Sequence, residues 1–281
     1  MEKYFIAAMS NVHSLGNRSI AQLIKFFGSA KAAWFTDVSD LVKAGVNKKG
    51  LNEFISFRDK NPNAPEKLIS FCDSQKIKLC SIADKDYPPL LKEIDTPPMV
   101  FYYRGELQPH IQRIAVVGSR NNTPCGQRVA LELGEELAAT GLTVVSGAAR
   151  GIDTFAHFGA LRNGRTVAVL GCGINHIFPR ENKKLLEEIA ERGVVMSEYP
   201  PQMPPNRGTF PQRNRIIAGL CKGLVVVEAA KTSGSIIASN FALKYGRKLF
   251  AAQNTDSGGC KDLIRGGAIP IESAQDVYNR F

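Results

Sequence analysis

The sequence predicts an α/β protein in which a parallel sheet, covered by helices on both faces, follows a small all-helical domain. Short apolar runs rich in valine alternate with helical patterns from residue 113 onward. These runs lack the polar–apolar alternation of a half-exposed strand, so they fit strands that are buried on both faces. Before about residue 85, apolar residues instead recur at helical spacing.

The first 85 residues are predicted to form the helical, SAM-like domain. Ile20, Leu23 and Phe27 share one helix face, and a Gly-Ser pair ends the run. Further helices are expected in DVSDLVKAG, KGLNEFISFRDK and EKLISFCDSQ. The stretch SLGNRSIAQLIKFFG resembles half of a helix-hairpin-helix motif, but Ser14 stands where its first glycine usually lies. We therefore expect this domain to serve packing or protein contact first, and DNA contact second.

The second domain is predicted to run from 86 to 281. Two Pro-Pro pairs in DKDYPPLLKEIDTPPMVFYYRGEL exclude a long helix, and MVFYYRG fits a strand. The next predicted strands are RIAVVG, TVVSG, TVAVLG, VVMSEY, LVVVEA, KLFAA and AIPI. Helices are predicted between them in GQRVALELGEELAATG, from Ile152, in ENKKLLEEIAERG, through RNRIIAGL and in SIIASNFALKYG. This alternation is typical of a doubly wound, Rossmann-like sheet.

Composition narrows the class of protein. A net charge of +10 over 281 residues suggests a polyanionic partner, with nucleic acid favoured over membrane, although a basic enzyme fits equally well. The six cysteines contain no Cys-x-x-Cys pair and no histidine at zinc spacing, so we expect free thiols and no metal site. No apolar run reaches membrane-spanning length and no signal peptide is apparent. A cytoplasmic protein without membrane insertion is expected.

Small residues follow the predicted strands. They include Gly118-Ser119-Arg120, Ser146-Gly147 and the sequence GCG at 171–173. Ligands of doubly wound sheets lie beyond the carboxyl ends of the strands, where small residues and helix N-termini suit a bulky anion. The glycine and serine of any one such loop are explained by the ordinary preference of turns for these residues. Four of them at one sheet edge predict a phosphate-binding site.

Enzymatic alternatives stay open at this edge. GCGINH has His176 in place of the third glycine of the dinucleotide fingerprint, so no such cofactor is expected. Gly-x-Ser-x-Gly is absent, and Asp153 and His157, four residues apart, are expected to bond each other or cap the turn rather than form a triad. Glu198 and Glu228 end apolar strands, so a paired-carboxylate site is an open alternative without further support.

The segment YPPQMPPNRGTFPQRNR points to nucleic acid. No acid occurs between residues 199 and 227, so Arg207, Arg213 and Arg215 have no nearby carboxylate in sequence. Arginine binds phosphate through a planar, always charged fork. Phe210 could be held outward for a base to stack on, since stacking beside a positive track holds single strands without reading their sequence. We expect these arginines and the ring to line an open furrow; the alternative is a core phenylalanine beside solvated arginines.

Seven motifs in order carry a family resemblance. The motifs VVGSRNNTPCG, SGAARGIDTFAH, AVLGCGINHIFPRENKKL, SEYPP, FPQRNRIIAGL, VVVEAAKTSGS and LIRGGA resemble those of the DprA (Smf) family of DNA-processing proteins, over about residues 85–281. The resemblance implies a protein that binds single-stranded DNA without sequence preference, protects incoming DNA and loads the RecA recombinase during natural transformation. It also implies a homodimer formed through the Rossmann-like domain, no cofactor and no enzymatic activity.

The resemblance and the strand-end loops together predict the DNA-binding residues. They are Gly118, Ser119, Arg120, Ser146, Gly147, Arg150, Arg207, Phe210, Arg213, Asn214, Arg215, Ser233 and Gly234.

Some features depart from the family pattern. Ala252-Gln253-Asn254 stands where relatives usually carry Val-Pro-Gly, and no C-terminal winged helix is expected because the sequence stops just after the sheet domain. Leu263, Ile264 and Ile269 are candidates for the dimer surface. A Rossmann-like nucleotide or nucleotide-sugar hydrolase is the main alternative function, although EAAKTSGS lacks the Gly-Gly pair of such enzymes. A structural adaptor that binds only protein is the second.

Overall fold

A computed structural model describes residues 1–230 and 233–280. The chain forms two compact units. One comprises Met1–Tyr87 and Asp95–Tyr103, and the other comprises Pro88–Ile94 and the chain from Arg104 onward.

The first unit is mainly helical. Its helices are α1 (Glu2–Ser10), α2 (Gly16–Phe27), α3 (Ala30–Phe35), α4 (Val38–Lys43), α5 (Lys48–Lys60) and α6 (Ala64–Ser74). Trp34 packs edge-on against Phe5 and Phe54, with ring centroids 6.1 and 5.6 Å away. Strand β1 (Lys78–Ser81) pairs antiparallel with β2 (Val100–Gly105), whose last two residues belong to the second unit. Strand β1 was not predicted, because four residues are too few to display a period.

The second unit is built on a parallel sheet. Its strands are β3 (Arg113–Gly118), β4 (Thr143–Ser146), β5 (Thr166–Leu170), β6 (Val194–Ser197), β7 (Gly223–Glu228), β8 (Lys248–Ala252) and β9 (Ile269–Ile271). Its helices are α7 (Pro89–Lys92), α8 (Pro124–Ala139), α9 (Ile152–Asn163), α10 (Lys183–Arg192), α11 (Thr209–Gly219), α12 (Gly234–Lys244), α13 (Gly258–Arg265) and α14 (Ala274–Tyr278), with a 3₁₀ turn at Arg180–Asn182. Every residue of β4, β5 and β6 is buried.

The strand order explains where a ligand can bind. These strands lie in the order β6-β5-β4-β3-β7-β8-β9, and neighbouring pairs are parallel. The chain builds outward from β3 to β6 and then returns to place β7 on the other side of β3. Connections leave β3 and β7 in opposite directions, which opens a crevice at their carboxyl ends. The predicted doubly wound parallel sheet is confirmed.

The core of this unit lies between the sheet and its helices. Val116 and Val225 from neighbouring strands pack with Leu133 of α8 and Ile152 of α9, all at most 2% exposed. Such side chains lose contact with water on folding, and the burial of each one stabilises the folded state by roughly 1.5–3 kcal/mol. The loops at the carboxyl edge are therefore carried on a rigid frame. No helix within residues 1–230 or 233–280 is both long and apolar enough to cross a membrane.

Candidate nucleic-acid interface

A cleft of about 630 Å³ lies at the switch point between β3 and β7. Nine of the thirteen predicted DNA-binding residues line it: Gly118, Ser119, Arg120, Arg207, Phe210, Arg213, Asn214, Ser233 and Gly234. The other four predicted residues, Ser146, Gly147, Arg150 and Arg215, are not among its lining residues. The loop after β3, the start of α11 and the start of α12 form its walls.

One wall of the cleft carries two aromatic rings and a cation. The ring of Phe210 lies 5.3 Å from that of Phe178, centre to centre. The guanidinium carbon of Arg120 lies 5.6 Å from the centre of the Phe210 ring. Arg120 is exposed, Phe178 is 43% exposed and Phe210 is half-buried. A planar base can therefore reach an aromatic surface that already has a positive charge beside it.

Phe210 occupies its position because the neighbouring loop contains a glycine. A Cβ atom at Gly171 would come within 2.6 Å of the Phe210 ring, so no larger residue fits there without moving the ring. Gly171 directly follows β5. The glycine after β5 thus makes room for a side chain of the protein itself, the ring of Phe210.

Arg207 is the second exposed cation of the cleft. It precedes α11 and is accessible to solvent. Because no carboxylate balances Arg120 or Arg207 in any ion pair of the described chain, both charges are available to an anion. Two exposed arginines in the same cleft as an aromatic pair suit a sugar–phosphate backbone.

Arg213 is not an exposed cation like Arg120 and Arg207. The expectation that its side chain lies open, without an acid to balance its charge, is wrong. Its side chain is buried, with the residue 3% exposed. The guanidinium donates hydrogen bonds to the carbonyl oxygens of Gly147, at 2.7 Å, and Val169. A Cβ atom at Gly147 would lie 2.4 Å from that guanidinium, which explains the glycine. Arg213 therefore joins the loops after β4 and β5 beneath the cleft.

A buried carboxylate, on Asp153, is the electrostatic partner of Arg213. It accepts hydrogen bonds from the backbone N–H groups of Gly147, at 3.1 Å, and Ala149, at 3.4 Å. Burial raises the pKa of Asp153, while the guanidinium of Arg213 and these N–H groups oppose the increase. Burial also lowers the pKa of Arg213, and Asp153 opposes that change. The acid that balances Arg213 thus lies sixty residues earlier in the chain, and sequence proximity gave no sign of it.

His157 does not bond Asp153. Its Nδ1 lies 2.7 Å from the hydroxyl of Thr166, which donates its hydrogen to the Val144 carbonyl at 2.8 Å. The ring must therefore donate from Nδ1, which leaves Nε2 unprotonated when the histidine is neutral. This buried Nε2 has no hydrogen-bond partner within the described chain. Burial, assisted by the charge of Arg213, lowers the pKa of His157 to about 3. It is a neutral core residue, not a member of a catalytic triad.

Asn214 connects the cleft to α12. Its side-chain amide donates to the carbonyl of Gly234 at 2.9 Å, and the residue is 9% exposed. Gly234 is the first residue of α12, and the hydroxyls of Ser233 and Ser235 lie 2.6 Å apart beside it. The positive end of the α12 dipole is thus held at the cleft wall.

Arg215 is also balanced by an acid, contrary to expectation. Its Nη2 contacts both carboxylate oxygens of Glu198, and the two side chains are 12% and 15% exposed. Glu198 follows β6, so the pair joins α11 to the edge of the parallel sheet. The consecutive residues Arg213, Asn214 and Arg215 therefore fix α11 to three other parts of the unit.

The two carboxylates considered as an alternative catalytic pair do not form one. Glu228 accepts from both the backbone N–H, at 3.0 Å, and the hydroxyl, at 3.1 Å, of Thr123, the N-cap of α8. Its strand, β7, is separated from β6 by three strands, which places Glu198 about 19 Å away at the usual interstrand spacing. Strands consecutive in the sequence are not neighbours in the sheet. Both acids serve structural contacts instead.

The loop after β4 accounts for Ser146 and Arg150. The buried hydroxyl of Ser146 donates to the Val116 carbonyl at 2.6 Å, which ties β4 to β3. Arg150 is exposed but forms an ion pair with Glu181. The predicted extension of the positive track through Arg150 is therefore partly neutralised. No cluster of three or more His, Cys, Asp or Glu side chains suited to a metal occurs in residues 1–230 and 233–280.

Comparison with known proteins identifies the family. A model of the DNA recombination-mediator protein A family matches residues 78–281. The chain belongs to this family. It is 37% identical to Protein Smf of Synechocystis over 287 residues, which cover 98% of this chain and 72% of that protein. It is 42% identical to DNA processing protein DprA of Streptococcus pneumoniae over 213 residues, which cover 74% of this chain and 75% of that protein.

Solved structures of the recombination-mediator family agree with the fold. The X-ray structure of S. pneumoniae DprA matches with a TM-score of 0.88 and 33% identity, covering 100% of this chain and 98% of that one. Helicobacter pylori DprA, whose structure concerns its single-stranded DNA binding mode, matches with a TM-score of 0.65 and 29% identity, covering 72% of this chain and 95% of that one.

Sequence reasoning missed half of the residues that line the cleft. Among the missed residues are Phe178, Asn121 and Ile237, and Ile237 is 37% exposed. Of these residues, Phe178 is the one that the sequence could most readily have indicated, because its motif HIFPREN places an aromatic residue in a loop after a strand. Its pairing with Phe210, 32 positions later, required the fold.

Proposed function

We propose that the cleft binds single-stranded DNA without sequence preference. The observation that carries this proposal is that one cleft holds two exposed arginines, Arg120 and Arg207, together with the Phe178–Phe210 pair. Guanidinium groups bind phosphates of any nucleotide, and every base has a face that can stack on an aromatic ring. Neither contact distinguishes one base from another. Membership in a recombination-mediator family and the single-stranded DNA binding named for H. pylori DprA support the same ligand.

Arg213, Asn214 and Arg215 act as positioning residues in this proposal. Their hydrogen bonds hold α11 and α12 at the angle that brings Phe210 and the α12 N-terminus to the cleft. Ser146, Gly147 and the other small residues at the strand ends keep the loops close to this framework. The DNA-contacting role is therefore carried by Arg120, Arg207 and the rings, with Gly118, Ser119, Ser233 and Gly234 contributing backbone and hydroxyl groups.

The wider role proposed is that of a recombination mediator in the cytoplasm of a naturally transformable bacterium. The protein would protect incoming single strands and load RecA onto them. The family name and the bacterial DNA-processing relatives support this role. Its test is assembly of RecA filaments on single-stranded DNA precoated with a single-strand binding protein, followed with and without this chain. Acceleration is expected, and an unchanged rate would contradict the loading role.

A homodimer formed through the Rossmann-like unit belongs to the same proposal. Leu263 and Ile264 of α13 are half-buried, and β9 lies at the end of the strand order with Ile269 partly accessible. Pro270 in β9 is exposed and cannot donate a ladder hydrogen bond. Contact through α13 side chains is therefore favoured over pairing of two β9 strands. Analytical ultracentrifugation of Leu263→Asp tests this: the variant should sediment as a monomer.

We propose binding without turnover. Glu198 and Glu228 are the acids at the ends of β6 and β7, and both are committed to structural contacts. Incubation with a panel of nucleoside monophosphates should release no free base. Base release that disappears in Glu228→Gln would favour the hydrolase instead.

A mobility-shift experiment tests the ligand class directly. Labelled single-stranded and double-stranded oligonucleotides of one sequence are titrated at about 50 and 200 mM salt. The single strand should bind more tightly at both concentrations and lose affinity as salt rises. Equal affinity for both forms would overturn the preference, and no shift at low salt would favour an adaptor that binds only protein.

A further inference from the structure

Tyr199 lies two residues beyond the end of β6, and its hydroxyl donates to the carbonyl of Thr209 at 3.2 Å. Thr209 is the first residue of α11, and Phe210 is the second. Tyr199 is not among the residues that line the cleft. We propose that Tyr199 is a positioning residue, which sets the affinity of the cleft for single-stranded DNA by fixing the ring of Phe210. The inference rests on the proposed function for the identity of the ligand.

The bond from Tyr199 acts on the peptide group that leads to Phe210. The carbonyl of Thr209 and the nitrogen of Phe210 belong to one planar unit, so a hydrogen bond to this oxygen restricts the direction in which the Phe210 side chain leaves the backbone. This restraint falls at a helix N-terminus, where the first four N–H groups have no partner within the helix. The orientation of the ring therefore depends on contacts from outside α11.

Tyr199 also closes a ring of hydrogen bonds at the carboxyl edge of the sheet. Its backbone N–H donates to the Ser197 hydroxyl oxygen at 3.1 Å, and that hydroxyl donates to the Cys172 carbonyl at 2.6 Å. On the other side, the Thr209 hydroxyl donates to the carbonyl of Gly171, the residue before Cys172. The loop after β5 and the start of α11 are thus joined twice, once directly and once through Tyr199.

The ring of Phe210 lies between these two connections. It packs on Gly171, where an added Cβ atom would come within 2.6 Å of it. The direct connection is shared, because the Thr209 hydroxyl also contacts the carbonyl of Asn206 at 2.7 Å and has only one hydrogen to donate. The bond from Tyr199 supplements this shared contact at the neighbouring carbonyl, and so holds Phe210 against Gly171.

Two consecutive residues hold α11 at two points. Glu198 pairs with Arg215, and Tyr199 bonds Thr209, six residues earlier in the helix. At a rise of about 1.5 Å per residue, these points lie about 9 Å apart along the helix axis. Two separated contacts fix the direction of a helix, whereas a single contact allows it to pivot. Of these two contacts, the bond from Tyr199 is the one next to Phe210.

The hydroxyl of Tyr199 keeps its hydrogen at neutral pH. Burial, together with the nearby carboxylate of Glu198, raises the pKa of Tyr199 to about 12. The side chain is therefore a neutral donor in ordinary binding buffers. Replacing it with phenylalanine deletes one hydrogen bond without changing the charge of the protein.

The test measures the affinity of full-length Tyr199→Phe for a labelled oligothymidine by fluorescence anisotropy over a range of salt concentrations. Loss of one neutral hydrogen bond should raise Kd about 3- to 10-fold. The slope of log affinity against log salt should stay at the wild-type value, because no phosphate contact is removed. An unchanged Kd in Tyr199→Phe would overturn the inference alone.

A double-mutant cycle shows whether Tyr199 acts through the ring. In a chain that already carries Phe210→Ala, adding Tyr199→Phe should change Kd by no more than about 1.5-fold, because the group that it positions is gone. A residue that contacted the strand itself would cost the same in both backgrounds. An equal loss with and without Phe210 would therefore overturn the inference.

Tyr87→Phe is the matched control. The buried hydroxyl of Tyr87 donates to the carbonyl of Pro98 at 2.8 Å, and both residues belong to the first compact unit. The control deletes the same kind of bond away from the cleft and should leave Kd unchanged. An equal rise of Kd in Tyr87→Phe would overturn the inference, because the effect would then be a general consequence of lost stability. Absence of binding by the wild-type chain would overturn the proposed function and the inference together.

Discussion

The guanidinium group of Arg120 lies over the ring of Phe210, with 5.6 Å between the guanidinium carbon and the ring centre. These residues are ninety positions apart in sequence and are brought together by the return of the chain from β6 to β7. The contact places a charge that can bind phosphate beside a ring that can stack with a base. The first two predictions concern this contact.

Replacing Phe210 with alanine should weaken binding of single-stranded DNA. The loss expected from one stacked base is about 1–3 kcal/mol, or roughly 5- to 150-fold in Kd. Fluorescence anisotropy with a labelled oligothymidine measures it. Phe158→Ala is the control, because Phe158 is a phenylalanine of the same unit that is 43% exposed but does not line the cleft. Equal affinities for the two alanine variants would contradict a stacking role.

Gly171→Ala should weaken binding without altering a DNA-contacting residue. Its new Cβ atom would lie 2.6 Å from the Phe210 ring and force the ring to move. We expect a loss of affinity smaller than that of Phe210→Ala, and an overpacking cost of about 1–3 kcal/mol in the free energy of unfolding. Urea denaturation and anisotropy on the same sample separate the two effects. Unchanged affinity would mean that the ring position is unimportant to binding.

Arg213→Ala should chiefly destabilise the fold. Removing this buried guanidinium leaves Asp153 without its cation and leaves the Gly147 carbonyl without a donor. The free energy of unfolding should fall by about 3–5 kcal/mol, as for other buried charges deprived of a partner. Arg207→Ala removes the same charge from an exposed position and should change stability by no more than about 0.5 kcal/mol. Chemical denaturation compares them, and similar stabilities would refute the buried role of Arg213.

The lowered pKa of His157 predicts that the free energy of unfolding depends on pH. Its pKa is about 3 in the folded protein and 6.5 in the reference state, so the unfolded chain binds more protons between these values. Stability from this group is therefore complete above pH 6.5 and is lost progressively as pH falls toward 3. The raised pKa of Asp153 gives the opposite slope, because between its unfolded and folded pKa values the folded state retains a proton that the unfolded state has released.

The variant His157→Gln isolates this histidine. The neutral amide of glutamine can still donate a hydrogen bond to Thr166 but does not titrate. Asp153 is present in both the wild type and the variant. The stability difference between pH 7 and about pH 4.5 should be smaller in the variant than in wild type. Urea unfolding curves at the two pH values measure it. A variant that loses as much stability as wild type would show that His157 does not titrate as described.

The sequence predicted the sheet and the cleft edge well, for a local reason. Valine-rich runs and the glycines and serines after them are contiguous in the chain, so strands and loops could be recognised without knowing their neighbours. The position of nine predicted residues in one cleft follows from parallel strands sharing a carboxyl edge.

The side-chain partners could not be predicted in the same way. The absence of acids between residues 199 and 227 suggested free arginines, yet Glu198 and Asp153 balance Arg215 and Arg213 through the fold. Charge balance in a folded protein is set by distance in space, and a doubly wound topology places neighbours from different connections together. For the same reason, the sequence did not indicate that Phe178 lies beside Phe210 in the cleft.

The central claim is that two open arginines beside an aromatic pair hold single-stranded DNA. Its most direct test is the affinity of Arg120→Ala with Arg207→Ala for a labelled oligothymidine at about 50 and 200 mM salt, against Arg162→Ala with Arg192→Ala as an exposed control. We expect a large loss of affinity, a slope of log affinity against log salt reduced by about 1.4, and a control that matches wild type. Wild-type affinity and slope in the Arg120/Arg207 variant would contradict it.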